Sequence, residues 1–145
     1  MAVDVVSEIV IARPRDAVAA FACDPSNAPA WYSNIESIRW LTEPPVAVGS
    51  RMDFVARFLG RTLAYTYEVR ELEVARRLVM STAEGPFPME TTYEFADAAP
   101  GHTRMTLRNR GEPAGFSRFA APLMAQAMRR ANGKDLRDLK RLLER

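Results

Sequence analysis

The stretch from Phe116 to Leu143 limits most strongly what this chain can become. Phe116, Phe119, Ala120, Leu123, Met124, Ala127, Met128 and Ala131 recur at the i, i+3, i+4, i+7 spacing of a helix with one buried face. No other run is as long or as periodic. Almost everything before it alternates as strands do, so the expected object is a sheet closed over one long helix.

Taken in order, Val3 to Ile11 sets Val5, Ser7, Ile9 and Ile11 against Asp4 and Glu8, the pattern of a half-buried strand. Arg13-Pro14 ends it, with Pro14 placed to open a short helix that carries Val18, Phe21 and Ala22. Asp24-Pro25-Ser26 breaks that helix, and a second short one spans Ala28 to Tyr32. Ile35 to Leu41 reads as another strand, and Pro44-Pro45 and Gly49 mark a loop. Strands then follow at short intervals. Met52, Phe54, Ala56 and Phe58 share a face, Gly60 turns the chain, and Leu63, Tyr65, Tyr67 and Val69 share the next. Leu78, Met80 and Thr82 precede the loop at Gly85-Pro86. Met89, Thr91, Tyr93 and Phe95 alternate with Glu90, Thr92 and Glu94, and a tight segment from Ala98 to His102 leads to Thr103, Met105, Leu107 and Asn109. Each strand has an apolar and a charged face, as in an antiparallel sheet wetted on one side.

Composition narrows the class. The 145 residues suit one domain, 48% of them apolar and 26% charged. No apolar run approaches the roughly 18 residues that would span a bilayer, which argues against stable membrane insertion, and MAVDVVSEIV carries acids where a signal peptide needs cations. One cysteine, Cys23, and one histidine, His102, leave no disulfide framework and no zinc cluster, and fit a cytoplasmic protein. The net charge of +2 is uneven, with 8 Lys and Arg against 3 Asp and Glu from Gly115 onward. A nucleic-acid or membrane-surface helix would show this bias. So would a solvated helix face with Lys140, Arg141 and Arg145 near its C-terminal dipole, and the apolar stripe favours that reading, without nucleic acid.

A twisted, curved sheet is not filled along its whole length by a single helix. A cavity is therefore expected beneath it, lined from the strands by Phe54, Phe58, Tyr65, Tyr67, Met80, Tyr93, Met105, Leu107 and Asn109, and from the helix by Met124, Met128 and Asn132. Such a lining suits an apolar small molecule; the alternative for each residue is an ordinary core position. Trp31, in a helix bounded by Pro25, Pro29 and Asn34, either borders the mouth of the cavity or anchors that helix on the sheet. Asn132 is either an inward polar group in the row Met128, Asn132, Leu136, Leu139, Leu143, or with Gly133 marks a surface kink. At about 100° per residue the row of Phe116, Phe119, Leu123 and Ala127 lies roughly a third of a turn from that of Leu136, Leu139, Leu142 and Leu143, a drift that a bend at Gly133 would absorb.

The strand before IARPRDAVAAF, then DPSNAPAWYSNI, VGSRMDF and the ending LMAQAMRRANGKDLRDLKRLLER together resemble the START-like superfamily, and within it the bacterial polyketide cyclase/dehydrase and lipid-transport group. The resemblance runs over essentially the whole chain through soft markers: Pro14, Asp24, Trp31, Gly49 and the Asp135-Leu136, Leu139-Lys140, Leu143 ending. It implies an α+β helix-grip fold, with a seven-stranded antiparallel sheet wrapped around the C-terminal helix, two short helices at one end, and a hydrophobic ligand cavity. The superfamily includes cyclases, lipid carriers and hormone receptors, and no cyclase-specific motif maps here residue by residue.

Direct signs of catalysis are few. There is no nucleophile elbow, phosphate loop or dinucleotide fingerprint, so no cofactor is expected. His102 falls in a turn away from the concave face, and Glu68, Glu90 and Glu94 fall on the wet one. The inward polar set is Ser7, Tyr65, Tyr67, Thr82, Thr91, Tyr93, Asn109 and Asn132, which can orient a phenol or carbonyl and stabilise an enolate. Three functions stay open: a carrier of a lipid, quinone or polyketide-like molecule, a polyketide cyclase/dehydrase, and a protein-interaction or stress-associated module. No residue pattern specifies an oligomeric state.

Overall fold

A computed structural model describes residues 3–58, 60–85, 88–112 and 121–145, excluding the side chains of Phe58 and Ala121. Seven strands form one antiparallel sheet: β1 (Val3–Ile11), β2 (Ile35–Trp40), β3 (Arg51–Phe58), β4 (Arg61–Glu73), β5 (Arg77–Glu84), β6 (Met89–Asp97) and β7 (Thr103–Gly111). Their order is β1-β7-β6-β5-β4-β3-β2, so β1, first in the chain, completes the sheet beside β7. Between β1 and β2 come α1 (Arg15–Ala22), a 3-10 turn (Pro25–Asn27) and α2 (Ala28–Trp31), and α3 (Ala121–Leu143) follows the sheet. Phe116, Phe119 and Ala120, assigned to the long helix from their periodicity, lie outside the described residues, as does Pro86.

Alternation fixes the register, because a slip by one residue would turn every apolar side chain to water. The outer face instead carries cross-strand ion pairs such as Arg108–Asp4 at 2.6 Å, Arg110–Glu90 at 2.6 Å and Arg39–Asp53 at 2.9 Å. Exposed pairs of this kind contribute about 0–1 kcal/mol each, so they select the register more than they hold the fold. Register shifts between Ile35 and Ser37, between Thr66 and Tyr67, and between Val69 and Glu71 are bulges that sharpen the bend of the sheet. The loop before β3 is pinned to β4: Gly49 donates its N–H to Val69 O and the Val69 N–H returns to Ser50 O, both at 2.9 Å. The φ of +90° at Gly49 is a conformation that a side chain would strain.

Two local expectations are corrected. Pro14 sits one residue before α1, as its N-cap, where it presets the backbone without occupying the first helical position. Leu123 is 70% exposed, while Met124 and Met128 are buried. One residue is about 100° of helix, so the buried row runs through Met124, Met128, Asn132, Asp135, Leu136, Leu139 and Leu143 as a single stripe. Among the described residues one stripe is buried, and α3 is helical without interruption through Asn132 and Gly133. Its C-terminal end is tied to β1 and the turn after it. Lys140 Nζ donates to Val10 O at 2.9 Å, Arg13 Nη1 to Leu143 O at 2.7 Å, and the Ala12 N–H to Glu144 Oε2 at 2.7 Å.

Candidate ligand chamber

The core divides along α3. Toward its C-terminus Leu136, Leu139 and Leu143 join Ile11, Val18 and Trp31 in one packed cluster. Toward its N-terminus Met124 and Met128 pack with Val3, Val5 and Tyr65 in a smaller one. Beside that smaller cluster the curved sheet leaves a cavity of about 130 Å³. Met52, Phe54, Leu63, Tyr65 and Tyr67 form its floor, with Met80, Thr91, Tyr93 and Asn109 beyond them. The segment after α1 supplies Cys23, Ala28, Tyr32 and Ile35, and α3 closes it with Met124, Met128, Ala131 and Asn132. The aromatic floor is interlocked: Phe54 meets Tyr67 edge-on at 5.6 Å between centroids, and Tyr65 lies 5.9 Å from Tyr67.

Polar groups enter this lining in two sets. Thr91 Oγ1 donates to Asn109 Oδ1 at 2.7 Å, and the Tyr67 hydroxyl bonds the same threonine. Tyr67, Thr91 and Asn109 thus form one hydrogen-bonded set. The second set comprises Tyr32 and Tyr93, whose hydroxyls share a hydrogen bond at 2.6 Å, and Asn132. Asn132 is 5% exposed, and among the described residues its Nδ2 has no hydrogen-bond partner.

Burial keeps these groups uncharged. It pushes the Cys23 thiol and the Tyr67 phenol each up to about 12, in Tyr67 against the bond from Thr91. It also raises Tyr32, Tyr65 and Tyr93, with the neighbouring Tyr32 adding to the rise at Tyr93. At neutral pH the chamber therefore offers hydroxyls, amides and a thiol, but no thiolate nucleophile. Among the described residues no Asp, Glu, His, Lys or Arg lines it, and no group of three His, Cys, Asp or Glu side chains could hold a metal.

One carboxyl lies just behind the wall. Asp135 is 1% exposed, and its Oδ1 accepts from both the N–H and the hydroxyl of Ser33, at 3.0 and 3.1 Å. Its Oδ2 is buried without a hydrogen-bond partner among the described residues. Burial raises its pKa, with the two Ser33 bonds opposing. The contact clasps the chain after α2 onto α3 and so positions Tyr32.

Of the residues named from the sequence, Phe54, Tyr65, Tyr67, Met80, Tyr93, Asn109, Met124, Met128 and Asn132 come together around the cavity. Met105 and Leu107 are fully buried in the packed cluster, and the side chain of Phe58 lies outside the described residues. Trp31 does not reach the space. It is 1% exposed and packs against Tyr32, ring centroids 4.1 Å apart, with Tyr93 at 5.8 Å. His102 is exposed, its ring nitrogen 3.0 Å from Pro100 O. Sequence reasoning missed Tyr32, Cys23 and the Ser33–Asp135 clasp. For Asp135 a signal existed: it stands three residues after Asn132, on the same helical face.

The family model for polyketide cyclase / dehydrase and lipid transport matches residues 2–144. No curated protein matches the chain in sequence. Among solved structures, a protein of Thermus thermophilus superposes with a TM-score of 0.83 at 22% identity, over 97% of this chain and 96% of that one. The Zhui aromatase/cyclase of Streptomyces sp. R1128 gives 0.82 at 18% identity, over 98% and 93%. A START superfamily protein of Mycobacterium smegmatis gives 0.72 at 16% identity, over 97% and 94%. These likenesses establish the helix-grip fold.

Proposed function

Starting from a chain that belongs to the polyketide cyclase/dehydrase and lipid-transport family of the START-like superfamily, we propose that it binds and carries a hydrophobic small molecule in the chamber between the sheet and α3. The observation that carries this reading is the lining itself, apolar and aromatic with hydroxyls and amides that stay neutral at physiological pH. Such a wall gains by taking apolar surface out of water, at about 25 cal/mol per Å², and it orients a ligand through a few hydrogen bonds. Proton transfer near pH 7 calls for a group that titrates near 7. The chamber's phenols and thiol are all raised well above that, and Asp135 stands behind its wall. The test is mass spectrometry of small molecules released on denaturing the purified protein. An intact apolar compound recovered in stoichiometric amount is expected. A protein that carries none and fails to take up an apolar fluorophore would overturn the reading.

The second reading is a polyketide cyclase or dehydrase. It is favoured by the likeness to the Zhui aromatase/cyclase and by the Tyr32–Tyr93 pair, whose second hydroxyl proton is free to hold an enolate oxygen. Incubation with a poly-β-ketone chain separates the two, since an enzyme returns cyclised or dehydrated product where a carrier returns its ligand unchanged.

A further inference from the structure

The two polar sets of the chamber differ in what they leave unanswered. In the set of Tyr67, Thr91 and Asn109 the Thr91 hydroxyl donates to Asn109 Oδ1 and Tyr67 bonds Thr91. On the opposite side, Asn132 Nδ2 is buried and pairs with nothing among the described residues. Tyr32 and Tyr93 add to this, because two hydroxyls bring two protons and only one can lie between their oxygens. The unmet demand is therefore for acceptors, on the wall built by α3 and the segment after α2. A buried donor without a partner is costly, and a ligand oxygen placed there would satisfy it.

Charge and size narrow that ligand further. With no cation lining the chamber among the described residues, a carboxylate or phosphate would lose its hydration without an ionic partner, so the acceptor belongs to a neutral molecule. The cavity holds about 130 Å³, and an engineered apolar cavity of about 150 Å³ takes up a single benzene ring. We propose that the chamber selects a neutral, single-ring compound, a phenol or a cyclic or aryl ketone, and sets its oxygen against Asn132 Nδ2. This rests on the ligand-binding reading above and names its chemical class.

Calorimetric titration of the full chain with acetophenone, 4-methylphenol, ethylbenzene, 1-hydroxyanthracene and palmitate tests both parts. Acetophenone and 4-methylphenol are expected to bind at least tenfold more tightly than ethylbenzene, which matches them in shape but lacks the oxygen. Palmitate and 1-hydroxyanthracene are expected to bind at least tenfold more weakly than either. Asn132→Leu, close in shape, should abolish the preference for oxygen while keeping ethylbenzene binding, and should melt at or above the parent temperature because an unpaired donor is gone. Asn132→Ala, which also removes the donor, is titrated beside it. Palmitate or 1-hydroxyanthracene binding more tightly than the single rings would overturn the size and charge class yet leave the chamber a ligand site. An oxygen preference that survives both Asn132 variants would overturn the role of Asn132. If no probe binds and no ligand copurifies, the ligand-binding reading falls with it.

Discussion

The two halves of α3 make the same helical pattern do different things. Leu136, Leu139 and Leu143 insert into a filled cluster with Ile11, Val18 and Trp31, whereas Met124, Met128 and Asn132 face open space. Branched leucines with few rotamers suit a fixed packing arrangement, and unbranched methionines suit a wall whose shape can adjust. Burial alone does not separate them, for Met124 is as thoroughly buried as many core residues. What differs is whether the other side of each residue holds protein atoms. One helix can thus anchor a fold and wall a cavity, provided the sheet curves away along part of its length.

The contrast can be broken most forcefully at Leu139. Leu139→Ala, in the filled half and fully buried, should cost about 2–5 kcal/mol, read from chemical denaturation. Met128→Ala only enlarges a space that exists and should fall at or below the low end of that range. Enlargement reverses the asymmetry. Leu136→Phe has nowhere to go and should cost about 1–3 kcal/mol by overpacking. Met128→Trp grows into the chamber, should change stability by less than about 1 kcal/mol, and should abolish uptake of an apolar fluorophore. Equal losses of melting temperature for the two enlargements would mean that both halves are solid.

A smaller effect lies at the boundary. The native state holds the Asp135 proton more tightly than the unfolded chain does. That contribution to stability is complete below the ordinary value of 3.8 and is lost as the pH rises through the raised one. Asp135→Asn keeps an oxygen to accept from Ser33 and removes the buried charge. It should melt above the parent at neutral pH, and the gap should close as the pH falls toward 4. A gap that is constant with pH would show that Asp135 does not titrate in this range. The smallest effect is expected at Gly133, where an added Cβ would meet only the end of Arg137, 3.3 Å away. That exposed guanidinium can move, so Gly133→Ala should stabilise the protein by about 0.4–1 kcal/mol, with little effect on ligand affinity because Gly133 does not line the cavity.

The sheet was legible because alternation is enforced twice, by apolar residues inward and by ion-paired Arg, Asp and Glu outward, as in Glu90–Arg110. The chamber was legible only in outline. Phe54 and Met105 alternate alike and both join the larger packed cluster, yet only Phe54 also borders the cavity. That difference depends on the curvature of the sheet, which no single strand records. Leu123 misled because it shares the spacing of Phe116 and Phe119, while the buried stripe is set by where β1 and β4 present Val5 and Tyr65 to Met124 and Met128. Asp135 was hidden by its neighbours. Lys134 and Asp138 are an exposed ion pair at 2.7 Å, and a carboxylate among them reads as one more solvated charge until Ser33 folds onto it.

The pairing of β1 with β7 has a consequence for how the protein is made. Val3 lies opposite Gly111 and Ile11 opposite Thr103, so β1 leaves the ribosome roughly 100 residues before its partner exists. At about 5–20 residues per second, it waits on the order of 5–20 s while the strands between them are made and no helix is yet present to cover their apolar faces. Throughout that interval the aromatic floor and an unpaired edge are open to chaperones and to neighbouring nascent chains. A substitution that delays the docking of α3 would therefore reduce yield through aggregation during synthesis, even where the finished protein is as stable as its parent.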